Sequence, residues 1–505
     1  MQPVYVSGVA MTKFGKDPRP LVEIFRQAGQ QALAASKEQD VEAIYIAVMN
    51  PEEFTGESNI ASQIAEALGL TGIPAVRIET ASSAGAAAIQ AAVQAIASGY
   101  YRRVLVLGGE KMTHLSTSAT TRILAEVIDK QERQCGATMP ALAAMITEKY
   151  RQKFRLSHSA LENMLCRVAL KNHLNGSRNS LAQFQRAITR EAYLASKFIA
   201  TPLRLYDCSP ITDGAAAVVL TSEKTDVRLS GIGQGTGPVS LRERDIFTSF
   251  PATRIAAARA YQMAETSPQG IDFAEVHDAF TAFEIISTED LGFFAPGKGG
   301  EAVIEGKTAL EGPLPINPSG GLKARGHPVG ASGLAQIVEA TKKLRGQTQS
   351  KRQVKRGLTQ STGGLGTNNF VTILERADLP MVQNPGLAWS ARAPTTTGKK
   401  TTRSRPVSDE GQIETFTIVY VTPDGFLPPL ALALIRDRND GLIMAQGEDT
   451  GHLKIGREVY LRKLDDFYLF TVKSQLQKVQ ESLKRLLRRG VASPAREESP
   501  AEEKP

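Results

Sequence analysis

"IETASSAGAAAIQAAVQAIASGYYRRVLVLGG", residues 78–109, decides the fold. It opens on β-forming residues and passes through two serines and a glycine. It becomes a run of alanines at helical spacing and ends in the apolar run RVLVLGG. A strand, a turn, a helix and a buried strand in that order form one unit of a layered α/β sheet. A strand that ends in a small-residue turn and feeds a helix N-terminus is a common seat for a nucleophile. Ser82 stands at that turn.

The same alternation extends both ways. "VEAIYIAVM" (41–49) predicts a strand and "NIASQIAEALGL" (59–70) a helix. Later come three more strand patterns, "GAAAVVLTS" (214–222), "VRLSGIGQG" (227–235) and "FVTILE" (370–375). The block after Gly231 replays the strand–helix order of the first, which predicts two similar halves, 1–230 and 231–377. Residues 112–205 are too long for a loop and read as a helical insertion, with Ser157 of "SHSALEN" as an N-cap. Residues 378–410 are rich in Pro, Thr, Ser, Gly and basic side chains and read as a flexible linker. Beyond them, "IETFTIVYV", "PPLALALIRD", "GLIMAQGE" and "EVYLRKL" predict a small β-barrel over 411–472. A basic amphipathic helix and a disordered tail are expected over 473–505.

A chain of 505 residues exceeds one hydrophobic core. No apolar run approaches the roughly 18 residues of a membrane span, and the first residues lack signal-peptide order. No membrane partner and a cytoplasmic location are therefore expected. Cys135, Cys166 and Cys208 lie far apart, which excludes a disulfide framework or a four-cysteine zinc site. Cys135 reads as structural, and His158 and His173 are too far apart for a metal pair on one helix. The net charge of +8 concentrates in segments such as 342–357 and 483–490. Solvated surface accounts for it; the functional alternatives are a CoA phosphate or a nucleic acid.

Four stretches carry chemistry. They are the Ser82 turn, "EVHDAFTAFE" (275–284) with His277, "NPSGGLKARGHPVGASG" (317–333) with His327, and "LTQSTGGLGTNN" (358–369) with Ser361. The third is dense in glycine, so backbone can approach a ligand there, and "ASG" can start a helix whose N–H groups favour an anion.

These stretches resemble the thiolase superfamily, nearest to its sterol carrier protein thiolase-like branch. "GGLKARGHPVGASG" resembles the family's GHP loop, "HDAF" its (N/H)-x-A-F motif, and "LYDCSPITDGAAAVVL" (205–220) a mid-chain segment. The resemblance covers about residues 3–375. Residues 411–470 resemble the OB-like DUF35-type domain found beside such thiolases, without its zinc ribbon. The resemblance implies a five-layered α/β fold of two βαβαβ halves, usually a homodimer, that acts on acyl-CoA with no tightly bound cofactor. It implies Ser82 at the acyl-accepting position, His327 as the group that activates it, and His277 as an enolate-oxygen donor. It also places Ser361 at the second, proton-shuttling position, Gly363 and Gly364 at an oxyanion hole, and Ser319 and Gly320 in CoA contact. The OB-like domain could extend the assembly.

The departure is that both positions held by cysteine in the family are serine here. Thiols ionise near pH ~8.5 and are readily pulled lower. A serine hydroxyl needs an in-line base, and its ester lies below a thioester, so returning the acyl group to CoA runs uphill. Ser361 is equally poor as a proton shuttle near neutrality. The histidines and glycines still suit an enolate. Three functions follow: acyl transfer with Ser82 as a weak nucleophile, aldol or retro-aldol cleavage of a β-hydroxyacyl-CoA without an acyl-enzyme, or a non-catalytic CoA-ester-binding or scaffold subunit. Nucleic-acid binding through the barrel is not expected, because Phe416, Tyr420, Phe426 and Tyr460 suit core or interface better than a stacking platform. Acyl specificity is expected to come from the insertion and from loop 286–312.

Overall fold

The computed structural model describes residues 2–36, 40–348, 352–380 and 406–473. Most of the expected linker (381–405) and the expected basic helix and tail (474–505) lie outside the described residues.

The strands are β1 (Val4–Met11), β2 (Ala43–Ala47), β3 (Ala75–Ile78), β4 (Arg103–Glu110), β5 (Phe198–Ala200), β6 (Leu203–Arg204), β7 (Gly214–Thr221) and β8 (Val227–Thr236). They continue as β9 (Phe273–Glu275), β10 (Arg356–Gly363), β11 (Asn368–Arg376), β12 (Glu410–Val419), β13 (Leu430–Asp437), β14 (Leu442–Gly447), β15 (Glu458–Leu464) and β16 (Phe467–Val472). One sheet runs β3-β2-β4-β7-β1-β8-β11-β10-β9. Its midpoint is the antiparallel pair β1–β8, and outward from there the two sides match. Numbered within its own half, each reads 3-2-4-5-1 from its outer edge inward. In the second half the outermost strand has shrunk to a parallel bridge between Ile316 and Ala274. The duplication suspected from the sequence is thus a repeat of topology.

Layering follows from the period-2 alternation of strands covered on both faces. In β4, Val104 and Val106 pack inward on the helices Ala84–Ala97 and Ser332–Leu344, while Leu105 and Leu107 face the outer helix Leu21–Ala35. In the second half, β10 and β11 present Leu358, Val371 and Ile373 to the outer helix Pro251–Met263. Outer helices, sheet, central helices, sheet and outer helices make the five layers of a thiolase fold. The central helices touch at glycine. A side chain on Gly85 would lie 2.8 Å from the Leu334 nitrogen, and one on Gly333 would lie 2.6 Å from the Ala86 nitrogen. That approach brings the two helix N-termini together.

Between β4 and β7 the chain makes its helical excursion, including Met139–Lys153 and His158–Gly176. Ser157 caps the latter, accepting from the Ala160 N–H at 3.1 Å. The excursion is not all helix, because β5 and β6 form a small hairpin. The barrel β12–β16 closes in the order β12-β13-β14-β16-β15-β12, an OB-like arrangement. Its fifth strand, β16, was not read from the sequence; it follows β15 directly across Asp465–Asp466.

The barrel is not merely tethered. β12 pairs with β5 through Val419 and Ala200. Leu430, Leu432, Leu434 and Met444 share one core with Ala137, Leu142 and Met145 of the insertion. Thr415 donates to the Met145 carbonyl at 3.1 Å, and Lys149 pairs with Glu414 at 2.5 Å. Cys135 is buried in this seam, its thiol directed to the Met444 carbonyl at 3.3 Å. Among the described residues no helix is long and apolar enough to cross a membrane.

Candidate active site

All four singled-out stretches sit at the C-terminal ends of parallel strands, where open α/β sheets bind ligands. Ser82 follows β3 and is partly exposed. Ala81 before it has φ 53°, a left-handed backbone that an alanine adopts only under constraint. The constraint is local: the Ser83 hydroxyl donates to the Thr80 carbonyl at 2.8 Å, and Ser83 is fully buried. The tight turn presents Ser82 beside the N-terminus of Ala84–Ala97, where the helix dipole favours negative charge.

The second half supplies the facing loops. A side chain on Gly363 would lie 2.3 Å from the Thr80 carbonyl and 2.5 Å from the Ser83 hydroxyl. The end of β10 therefore rests on the Ser82 turn and only glycine fits there. Ser361, two residues earlier, is buried and its hydroxyl has no hydrogen-bond partner. Next to it, the Gln360 side chain accepts from the His277 backbone N–H at 2.9 Å. The His277 and His327 rings meet edge to face, with centroids 5.2 Å apart. These contacts put the end of β10 against the Ser82 turn and, through Gln360, against the backbone of His277, whose ring meets that of His327.

The histidine tautomers follow from their neighbours. The single proton of the Ser332 hydroxyl goes to the Pro328 carbonyl at 2.8 Å. Ser332 must then accept from Nδ1–H of His327, 2.6 Å away, which leaves a lone pair on Nε2. His327 is pushed down to about 3 by burial and by the Arg325 charge. His277 lies well below its ordinary value, through burial first and then His327 and Arg325. Its Nδ1 is buried without a partner. An orphaned lone pair is tolerated better than an orphaned N–H, so Nδ1 holds the lone pair and Nε2 carries the proton. The site thus holds one neutral base and one neutral donor. Because both imidazoles stay unprotonated as pH falls through 6.5, kcat/KM is expected to keep its base form down to about pH 5. A pH–rate profile with an acid limb near pH 6.5 would contradict this.

Sequence reasoning missed the residues that hold these loops. Asp278 accepts from the Leu322 N–H at 2.6 Å and from Asn172 Nδ2 at 2.7 Å, which fixes the start of the GHP loop. The His327 backbone N–H donates to Thr212 at 2.9 Å. Thr212 belongs to the mid-chain segment that the sequence had marked without a role. Asn317 accepts from the Val276 N–H at 2.8 Å. Ser319 and Gly320 open the same loop. The Ser319 hydroxyl donates to Glu275 at 2.7 Å, and a side chain on Gly320 would strike the Gly176 backbone at 2.7 Å. Both are packed inside the loop. Gly364 turns the chain after β10 with φ 55°.

Comparison with known proteins agrees with this fold. Residues 4–224 match the thiolase N-terminal domain and residues 233–376 the thiolase C-terminal domain-like family. The chain is 40% identical over 389 residues to an acetyl-CoA acetyltransferase of Methanothermobacter thermautotrophicus, covering 74% of this chain and all of that protein. It is 32% identical over 404 residues to sterol carrier protein 2 of Oryctolagus cuniculus, covering 73% and 71% of the two chains. A monomeric SCP2-thiolase-like protein type 1 from Mycobacterium smegmatis superposes over 94% of this chain and 99% of its own, with TM-score 0.72 at 16% identity. The structure described as "Ltp2-ChsH2(DUF35) aldolase" covers 75% of this chain and 99% of its own, with TM-score 0.64 at 22% identity. The chain belongs to the thiolase family.

Proposed function

We propose that this chain performs carbon–carbon bond chemistry on CoA thioesters through an enolate, without storing an acyl group on sulfur. The observation that supports this is the pair of imidazoles whose rings lie 5.2 Å apart, in a chain with serine at the two positions where the resemblance leads one to expect cysteine. For a β-hydroxyacyl-CoA, Nε2 of His327 takes the hydroxyl proton and the Cα–Cβ bond breaks. Its electron pair moves onto the thioester carbonyl oxygen, which His277 stabilises by donating N–H. The imidazolium of His327 then returns the proton to Cα. The products are a shorter acyl-CoA and an aldehyde or ketone; the reverse is aldol addition. Neither direction needs Ser82 as a nucleophile. The neighbour described as an aldolase gives the same fold an activity of this kind.

The curated relatives named acetyl-CoA acetyltransferase favour a second reading, acyl transfer with Ser82 as nucleophile and His327 as base. No tightly bound cofactor enters either scheme. A homodimer would be built on β3, the open edge of the large sheet, where Val76 is 44% exposed. The protein is to be incubated with matched β-hydroxyacyl- and β-ketoacyl-CoA esters, following products by chromatography and the enzyme by intact mass. The expected result is a shorter acyl-CoA plus a carbonyl product from the hydroxy ester, with no adduct. An acyl adduct that disappears in Ser82→Ala would establish transfer instead. If no ester turns over, the chain is a binding subunit.

A further inference from the structure

We infer that Arg244 receives a free carboxylate carried on the acyl part of the substrate, in the cleft under the barrel. The inference rests on the CoA-thioester reading above. A cavity of about 2050 Å³ lies between the barrel, the insertion and residues 236–251. None of Ser82, His277, His327 or Ser361 lines it; its inner end is walled by Gly366, Phe250 and Arg244. Arg244 is only 8% exposed, and its Nε has no partner. One Nη donates to the Leu365 carbonyl, and the Phe250 ring lies 6.0 Å from the guanidinium.

Among the described residues no carboxylate lies within ion-pair distance of Arg244. Three other cations of the cleft are matched: Lys149 pairs with Glu414 at 2.5 Å, Arg436 with Glu414 at 3.2 Å, and Arg242 with Asp129 at 3.8 Å. Lys130, Lys153 and Lys463 also line it, but as flexible ammonium groups rather than a buried planar fork. Glu132, whose charge reaches Arg244 through space, spends Oε1 on Ser240 and on the Leu241 N–H, each at 2.7 Å, and keeps Oε2 buried without a partner; it forms no ion pair with Arg244. A buried guanidinium without a counter-ion is costly, and its planar fork suits a carboxylate. Phe247, Ile443 and Met444 on the same walls suit methylenes.

Position selects the source of the anion. Leu365 is two residues beyond Gly363, at most about 7 Å of chain, and Gly363 rests on the Ser82 turn. The guanidinium is therefore within an acyl chain's reach of the reacting carbon. In a CoA thioester the phosphates stand a whole pantetheine arm from the reacting carbon, and comparing CoA, dephospho-CoA and pantetheine esters separates the two anions.

The test uses the full chain and two CoA thioesters of equal acyl length, one ending in carboxylate and one in methyl. Binding is measured by calorimetry and turnover by product release. The wild type is expected to prefer the carboxylate at least about tenfold, as one charge-assisted pair provides. That ratio should collapse toward one in Arg244→Met and recover in part in Arg244→Lys. Thioesters bound without carboxylate preference would overturn the inference and leave the CoA reading standing. So would a preference that persists in Arg244→Met or follows the CoA phosphates when dephospho-CoA and pantetheine esters are compared. A short dicarboxylate and its diamide serve as CoA-free probes. If the dicarboxylate binds through Arg244 while no thioester does, the anion site stands and the CoA reading fails.

Discussion

Replacing His327 with alanine is expected to lower kcat/KM for a CoA thioester by roughly two to four orders of magnitude, the contribution of a positioned general base. The neighbours of His327 fix its lone pair on Nε2. Ser332 holds its Nδ1–H at 2.6 Å, and Thr212 holds its backbone at 2.9 Å. The truncation leaves both supports satisfied elsewhere, since Ser332 still donates to Pro328 and the Thr212 bond is to backbone. The fold should survive, with a melting temperature close to that of the parent. His327→Asn separates base from spacer. Its amide can still donate to Ser332, yet it cannot take a proton, so its rate should stay as low as that of the alanine variant. Steady-state kinetics of both variants make the check; activity within tenfold of the parent in either would remove His327 from the mechanism.

The second large effect belongs to His277. Loss of one donor to a developing oxyanion lowers kcat by roughly a hundred- to a thousandfold. On the proposed scheme the His277 N–H bonds the carbonyl oxygen more strongly as charge builds there, so kcat should fall while KM moves little. Gln360 grips its backbone rather than its ring, and Asp278 beside it carries the loop contacts. His277→Ala should therefore leave the GHP loop in place. A rise in KM with kcat intact would show that His277 only binds substrate.

The candidate site was legible because its chemistry lies in short contiguous stretches. Ser82, His277 and His327 each sit in a turn, and Ser361 near the end of β10, where glycines and small residues mark the stretch in sequence. The supports were not legible, because they join residues far apart in the chain. Asp278 to Leu322 and Thr212 to His327 depend on which loops the sheet order brings together. The packing of Ser319 on Glu275 and of Gly320 on Gly176 was equally out of reach, because it too joins distant segments. In the barrel, four strands were visible by alternation between Gly and Pro punctuation. β16 follows β15 too closely to stand apart. The docking of the barrel was invisible, since Val419 meets Ala200 across more than two hundred residues of sequence. Composition suggested a tether; shared apolar surface made an interface.

Exchange of the α-hydrogens of a simple acyl-CoA in D₂O, followed by mass spectrometry, tests the enolate most directly. The geometry predicts deuterium uptake with the wild-type protein and with Ser82→Ala, and none above background with His327→Ala. Exchange that disappears in Ser82→Ala, or that the wild type never shows, would contradict an enolate formed by imidazole without a covalent intermediate.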